Sequence, residues 1–131
     1  MSINPFARAA GVALLSAALA GPALADVKDY EFQLVQNELK QGDAVLAVRL
    51  VNKKTGKPVP DAVIVAKRID MAPDGMETMT SSIEPAPSTE PGVYRFNVKL
   101  TMAGGWRLSL AAKVQGEAGT VERRLTFKAT K

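Results

Sequence analysis

Between residues 30 and 128, apolar and polar side chains alternate with a period of two, and this alternation is the strongest constraint on the fold. In the clearest run, residues 93–100, four apolar side chains alternate with three polar ones: Tyr94, Phe96, Val98 and Leu100 against Arg95, Asn97 and Lys99. Successive side chains of a strand point to opposite faces, so this pattern predicts strands with one buried face.

The alternating runs are short and are separated by turns rich in glycine and proline, and no stretch has a helical period. They predict about seven strands, at residues 30–39, 44–52, 62–70, 78–83, 93–100, 106–114 and 120–128. The proline-rich segment 84–92 is expected to be a surface loop. This spacing is typical of an all-β, immunoglobulin-like antiparallel sandwich, although it does not determine the order of the strands.

The first 25 residues have the pattern of a secretory signal peptide. Arg8 precedes an apolar run at residues 9–20, Gly21 and Pro22 end that run, and Ala23-Leu24-Ala25 forms a small-x-small cleavage site. The apolar run is shorter than the roughly 20 residues that span a bilayer, so a retained anchor is the less favoured alternative. We therefore expect a periplasmic protein whose mature part, residues 26–131, is one domain.

The chain contains no cysteine and no histidine. This composition excludes disulfides, thiol chemistry and histidine metal ligands, and it removes the commonest general base. No nucleophile elbow or phosphate-binding glycine loop is present either, so we expect no enzymatic activity. The net charge of +4 comes from basic residues spread over several strands, which does not indicate nucleic-acid binding.

All four methionines after the initiator fall in one window, and the only tryptophan follows them: Met71, Met76, Met79, Met102 and Trp106. Thioethers bind soft ions such as Cu(I), and they form no disulfides in an oxidising compartment. We therefore consider the four methionines as ligands of Cu(I) or Ag(I), with the ring of Trp106 covering the bound cation.

Other interpretations of the same residues remain open. Methionine also fills irregular gaps in a core or forms an adaptable contact surface for a partner protein. Asp70, Asp74 and Glu77 lie close enough in sequence to bind Ca²⁺, although their spacing differs from that of an EF-hand loop.

Four segments resemble the YtkA-like and FixH-like family of exported domains: GKPVPDA at 56–62, MAPDGM at 71–76, PGVYRF at 91–96 and MAGGW at 102–106. The resemblance covers nearly all of the mature chain. It implies an exported β-sandwich linked to heavy-metal efflux or to copper delivery. This chain differs from FixH-like proteins, which keep an N-terminal membrane helix, and from the many relatives with a histidine near the Met-x-x-Met loop.

Together, the residues and the resemblance suggest a periplasmic accessory protein that binds Cu(I) or Ag(I) weakly. It would pass the ion to the periplasmic adaptor of an efflux pump or to a copper-receiving oxidase. The alternative is a metal-free β-sandwich that acts as a protein-interaction module of the cell envelope.

Overall fold

The computed structural model describes residues 27–131, so the expected signal peptide and its cleavage site lie outside the described part. Within that part the chain forms nine strands and two single-turn 3-10 helices, Val27–Asp29 and Ala72–Asp74. The strands are β1 Tyr30–Leu34, β2 Glu38–Lys40, β3 Gly42–Asn52, β4 Val63–Met71, β5 Met76–Ser81, β6 Ile83–Ala86, β7 Val93–Leu100, β8 Gly104–Lys113 and β9 Thr120–Thr130. Neither helix is long enough to cross a bilayer.

The strands pack as two sheets, which confirms the all-β, immunoglobulin-like sandwich. One sheet has the order β1-β3-β7-β6, and the other has the order β2-β9-β8-β4-β5. The ladders are antiparallel except for β2 and β9, which run parallel. The inner faces meet in one core whose most buried large side chains come from both sheets, among them Phe32, Phe96, Leu46, Ile69 and Trp106.

The count of nine differs from the expected seven because the chain changes sheets inside two of the expected strands. Residues 30–39 divide into β1, in the four-stranded sheet, and β2, in the five-stranded sheet. Residues 78–83 divide in the same way between β5 and β6. Since no glycine or proline marks either crossing, the sequence shows no sign of a break between the two strands of each run.

The segment 84–92, expected to be a loop, begins instead as β6, with Pro85 paired opposite Phe96. Proline is tolerated there because β6 is the last strand of its sheet and its outer side needs no ladder hydrogen bond.

Candidate functional site

The candidate site is one end of the sandwich, which we call the methionine end: the segment 71–79 together with the connection 101–103 between β7 and β8. Met71 is the last residue of β4, and Met76 is the first residue of β5. Between them, Pro73 lies in the first turn of the 3-10 helix, and Gly75 ends the helix at φ 75°. This left-handed conformation costs glycine little, so the Pro-Asp-Gly sequence closes the reversal.

The 3-10 turn packs directly on the start of β8. The carboxylate of Asp74 accepts a hydrogen bond from the Gly105 N–H at 3.1 Å. A Cβ on Gly104, whose φ is +137°, would collide with the same carboxylate and lie 3.0 Å from Met71 Cε. The two glycines therefore let the turn close onto β8, and both methionine-bearing segments lie at the same end of the sandwich.

The four methionines differ in how far solvent reaches them. Met71 has no exposed surface and belongs to the core. Met76 and Met79 are partly buried and pack against that core. Met102 is 38% exposed. Solvent thus reaches three of the four side chains that the sequence suggested as ligands.

Met76 and Met79 both contact the core although they are three positions apart. A regular strand would place them on opposite faces. The pairing of β4 with β5 jumps, however, from Met71 opposite Met76 to Asp70 opposite Thr80. The three extra residues of β5, 77–79, form a bulge, and this irregularity lets both thioethers face the sandwich.

Trp106 is a core anchor that fixes the turn carrying Met102. Its ring has no exposed surface, and its Nε1–H donates a hydrogen bond to the Met102 carbonyl at 3.0 Å. The indole thereby satisfies its one polar group while it fills the core. The idea that its ring covers a bound cation stays a prediction; its observed contact is with the backbone of the turn.

Asp70, which the sequence suggested only as a possible Ca²⁺ ligand, is fully buried and has a structural role that the sequence did not indicate. Its Oδ2 accepts hydrogen bonds from Arg68 Nε and Arg107 Nη2, each at 3.0 Å. Its Oδ1 accepts the Ala72 N–H at 2.9 Å. One carboxylate therefore ties β4, β8 and the first residue of the 3-10 turn together. The one local sign of this role in the sequence is an acidic residue placed between two apolar residues, Ile69 and Met71.

The hydrogen bonds to Asp70 also determine its protonation. Burial raises the pKa of this carboxyl group, but the bonds from Arg107, Ala72 and Arg68 outweigh that effect and lower the pKa below its ordinary value of 3.8. Asp70 is therefore ionised at neutral pH and compensates the charge of Arg107, whose side chain is 24% exposed.

Two of the three acids considered for Ca²⁺ are engaged in holding the loop, whereas Glu77 is exposed. Asp70 is bound by two arginines and Asp74 by a backbone N–H, which leaves little carboxylate oxygen for a hard cation. Across residues 27–131, no group of three or more histidine, cysteine, aspartate or glutamate side chains is arranged to hold a metal ion. The accessible donors at the methionine end are the thioethers of Met76, Met79 and Met102 and the carboxylates of Asp74 and Glu77. The chemistry of the thioethers fits a soft monovalent ion.

Comparison with known proteins agrees with the fold. The YtkA-like family model matches residues 24–111, more than half of the 131-residue chain. A DUF4426 family protein from Pseudomonas aeruginosa is similar in structure, with a TM-score of 0.51 and 10% identity over 82% of this chain and 96% of that one. The Lin-41 filamin domain gives a TM-score of 0.48 at 16% identity, covering 82% of this chain and 98% of its own. A search of curated proteins found no match.

Proposed function

The chain belongs to the YtkA-like family, and we propose that it is an exported accessory protein that binds Cu(I) or Ag(I) at its methionine end. Met76, Met79 and Met102 would be the ligands that the ion meets first, with Met71 beneath them as a fourth. The ion is cargo in this proposal, passed on to an efflux-pump adaptor or to an oxidase that receives copper.

The observation that carries the proposal is the packing of the 3-10 turn on Gly104 and Gly105. It joins two segments that are far apart in sequence and that hold all four methionines of the chain after the initiator. A core needs methionine only where a gap is irregular. That need does not explain why Met102 is exposed beside the other three at one end of the domain.

The chemistry of the donors supports transfer rather than storage. Thioether sulfur has no charge and binds Cu(I) through its polarisability, so a site without thiolate or imidazole holds the ion weakly. The partial exposure of Met76, Met79 and Met102 leaves room for a receiving protein to supply its own ligands. The buried Asp70 cluster and the Trp106 hydrogen bond would keep the two segments in place while the ion is exchanged.

The test is a Cu(I) titration of the purified protein under reducing conditions, in competition with a chromogenic Cu(I) chelator. We expect saturable binding by the wild type, and an affinity at least ten-fold lower for the Met76→Leu/Met79→Leu variant. Leucine keeps the volume of each side chain, so the double substitution should change the free energy of unfolding by less than about 1.5 kcal/mol per site. Mg²⁺ should give no response, because thioethers do not bind hard ions.

The proposal fails if no saturable binding occurs at micromolar Cu(I), or if the folded double variant binds as tightly as the wild type. That result would favour the second candidate, a metal-free protein-interaction module. The complete burial of Met71 and the packing of Met76 and Met79 on the core support a metal-free structure, because core contacts account for these side chains without a ligand. Met102, which is 38% exposed, is the methionine of this end that a partner protein could contact.

A further inference from the structure

Away from the methionine end, the first part of β4 is an open sheet edge. β4 pairs with β8 along most of its length, but β5 covers its other side only at Ile69, Asp70 and Met71. Within residues 27–131, no strand pairs with residues 63–68 on that side. Val63 and Val65 lie on this stretch and are 62% and 52% exposed.

Other edges of the two sheets carry residues that discourage pairing. β6 contains Pro85, and the part of β9 not covered by β2 carries Glu122, Arg123 and Arg124. Prolines and charges at an edge are the usual protection against an added strand. Within the open stretch of β4 the charges are confined to its end, at Lys67 and Arg68. The part from Val63 to Ala66 has neither proline nor charge and is left able to accept a strand, with a bulge at Val65 in its pairing with β8.

An apolar cleft of about 430 Å³ lies beside this edge, between β4 and the β6–β7 side of the other sheet. Ile64 pairs with the fully buried Ala112, so it lies on the cleft side of β4. A strand added to β4 would direct every second side chain into the cleft, since side chains alternate between faces. The apolar residues lining it include Pro60, Ile64, Pro85, Tyr94 and Phe96.

The rim of the cleft is positively charged. Lys67 pairs with the buried Leu110 and therefore lies on the cleft side of β4, and Arg95 of β7 also lines the cleft. Neither cation forms an ion pair with the residues described in the structure. The one carboxylate in the lining, Glu90, lies 3.9 Å from Arg49. A carboxylate on a bound peptide would therefore complement the positive charge of this rim.

We propose that residues 63–68 of β4 and the adjoining cleft bind an extended segment of a partner protein by strand addition. The segment has apolar side chains at alternate positions, which enter the cleft, and an acidic residue that meets Lys67 or Arg95. This surface is separate from the methionine end and does not depend on whether the protein binds a metal.

The test begins with a phage-displayed library of random twelve-residue peptides selected on the full protein, followed by synthesis of the most enriched peptides. We expect sequences with alternating apolar residues and at least one aspartate or glutamate. On binding, amide hydrogen exchange should slow for residues 63–68. Lys67→Glu should weaken binding of the acidic peptides at least five-fold.

The edge variant is Val65→Lys, which places a charge on the open stretch of β4. Its matched control is Asn97→Lys, since Asn97 is exposed but pairs with Val45 of β3 on one side and with Glu84 of β6 on the other. We expect Val65→Lys to weaken peptide binding at least ten-fold and Asn97→Lys to change it less than two-fold.

Three outcomes would overturn the proposal. In the first, no such peptides are enriched; in the second, the enriched peptides bind Val65→Lys as tightly as the wild type. In the third, sedimentation shows a dimer that Val65→Lys dissociates, because the occupant of the edge is then a second copy of the chain.

Discussion

Replacing Asp70 by alanine should destabilise the domain more than any change of an exposed acid, because Asp70 is fully buried and accepts three hydrogen bonds. Hydrogen bonds to charged groups each contribute about 1.5–3 kcal/mol. Arg68 is 52% exposed and can return to water, whereas Arg107 is 24% exposed and loses its ion-pair partner. Breaking a buried charge pair from one side costs about 3–5 kcal/mol, and we expect a loss in that range.

Urea denaturation followed by the fluorescence of Trp106, the single tryptophan, measures this loss directly. With a slope of roughly 2 kcal/mol per molar urea, the midpoint should fall by about 2 M. The control is Asp43→Ala, since Asp43 is 87% exposed and lies 3.9 Å from Lys99. An exposed pair of this kind contributes little, so the control should stay within about 0.5 kcal/mol of the wild type.

A loss below about 1 kcal/mol for Asp70→Ala, with an unchanged denaturant slope, would refute this account of the cluster. It would mean that the two arginines and the Ala72 N–H find water as readily as they find the carboxylate. The 3-10 turn would then be held by its glycines and by Asp74 alone.

Three further perturbations test other parts of the structure. The folded pKa of Asp70 lies below its ordinary 3.8, so the stabilisation by its charge is present above pH 3.8 and is lost as the pH falls through the folded pKa. The urea midpoints of the wild type and Asp70→Asn should therefore differ at pH 6 and converge towards pH 2. A difference that stays constant with pH would contradict the lowered pKa. Gly104→Ala should lower the free energy of unfolding by about 2–4 kcal/mol, because the backbone is strained and the new Cβ collides with Asp74; thermal unfolding measures this loss. The control is Gly116→Ala, where φ is +89° and the space is open, so strain alone should lower the free energy of unfolding by about 1–2 kcal/mol. Equal losses would show that the turn is not packed against β8. Tyr94→Phe should lower the free energy of unfolding, measured by chemical denaturation, by about 1–3 kcal/mol, because the tyrosine hydroxyl donates to the Val59 carbonyl and accepts the Ala62 N–H. A variant as stable as the wild type would show that this hydroxyl does not hold the loop before β4.

The alternation of side chains predicted the two layers because burial on one face of a strand is a local property of the sequence. Of the apolar residues expected on one face of the run 93–100, Phe96, Val98 and Leu100 are buried. Strand order and sheet crossings depend on pairing between distant segments. The parallel ladder of β2 with β9 was therefore not predictable from the run 30–39.

The candidate site was predictable in part for the same reason. The Pro-Asp-Gly reversal after Met71 follows from local turn chemistry, and it is present as a 3-10 turn ended by Gly75. The contact of this turn with Gly104 and the pairing of Asp70 with Arg107 join residues more than 25 positions apart. A single sequence contains no signal for such pairs, because their spacing depends on the sheet order.

The measurement that tests the central proposal most directly is a methyl spectrum of the protein labelled with ¹³C at the methionine methyl groups, recorded during a Cu(I) titration. The proposal predicts saturable shifts for the methyl groups of Met76, Met79 and Met102, with no comparable change in the backbone amides around Val65. Methyl signals that stay unchanged at micromolar Cu(I), or that shift only in proportion to added metal without saturation, would contradict it.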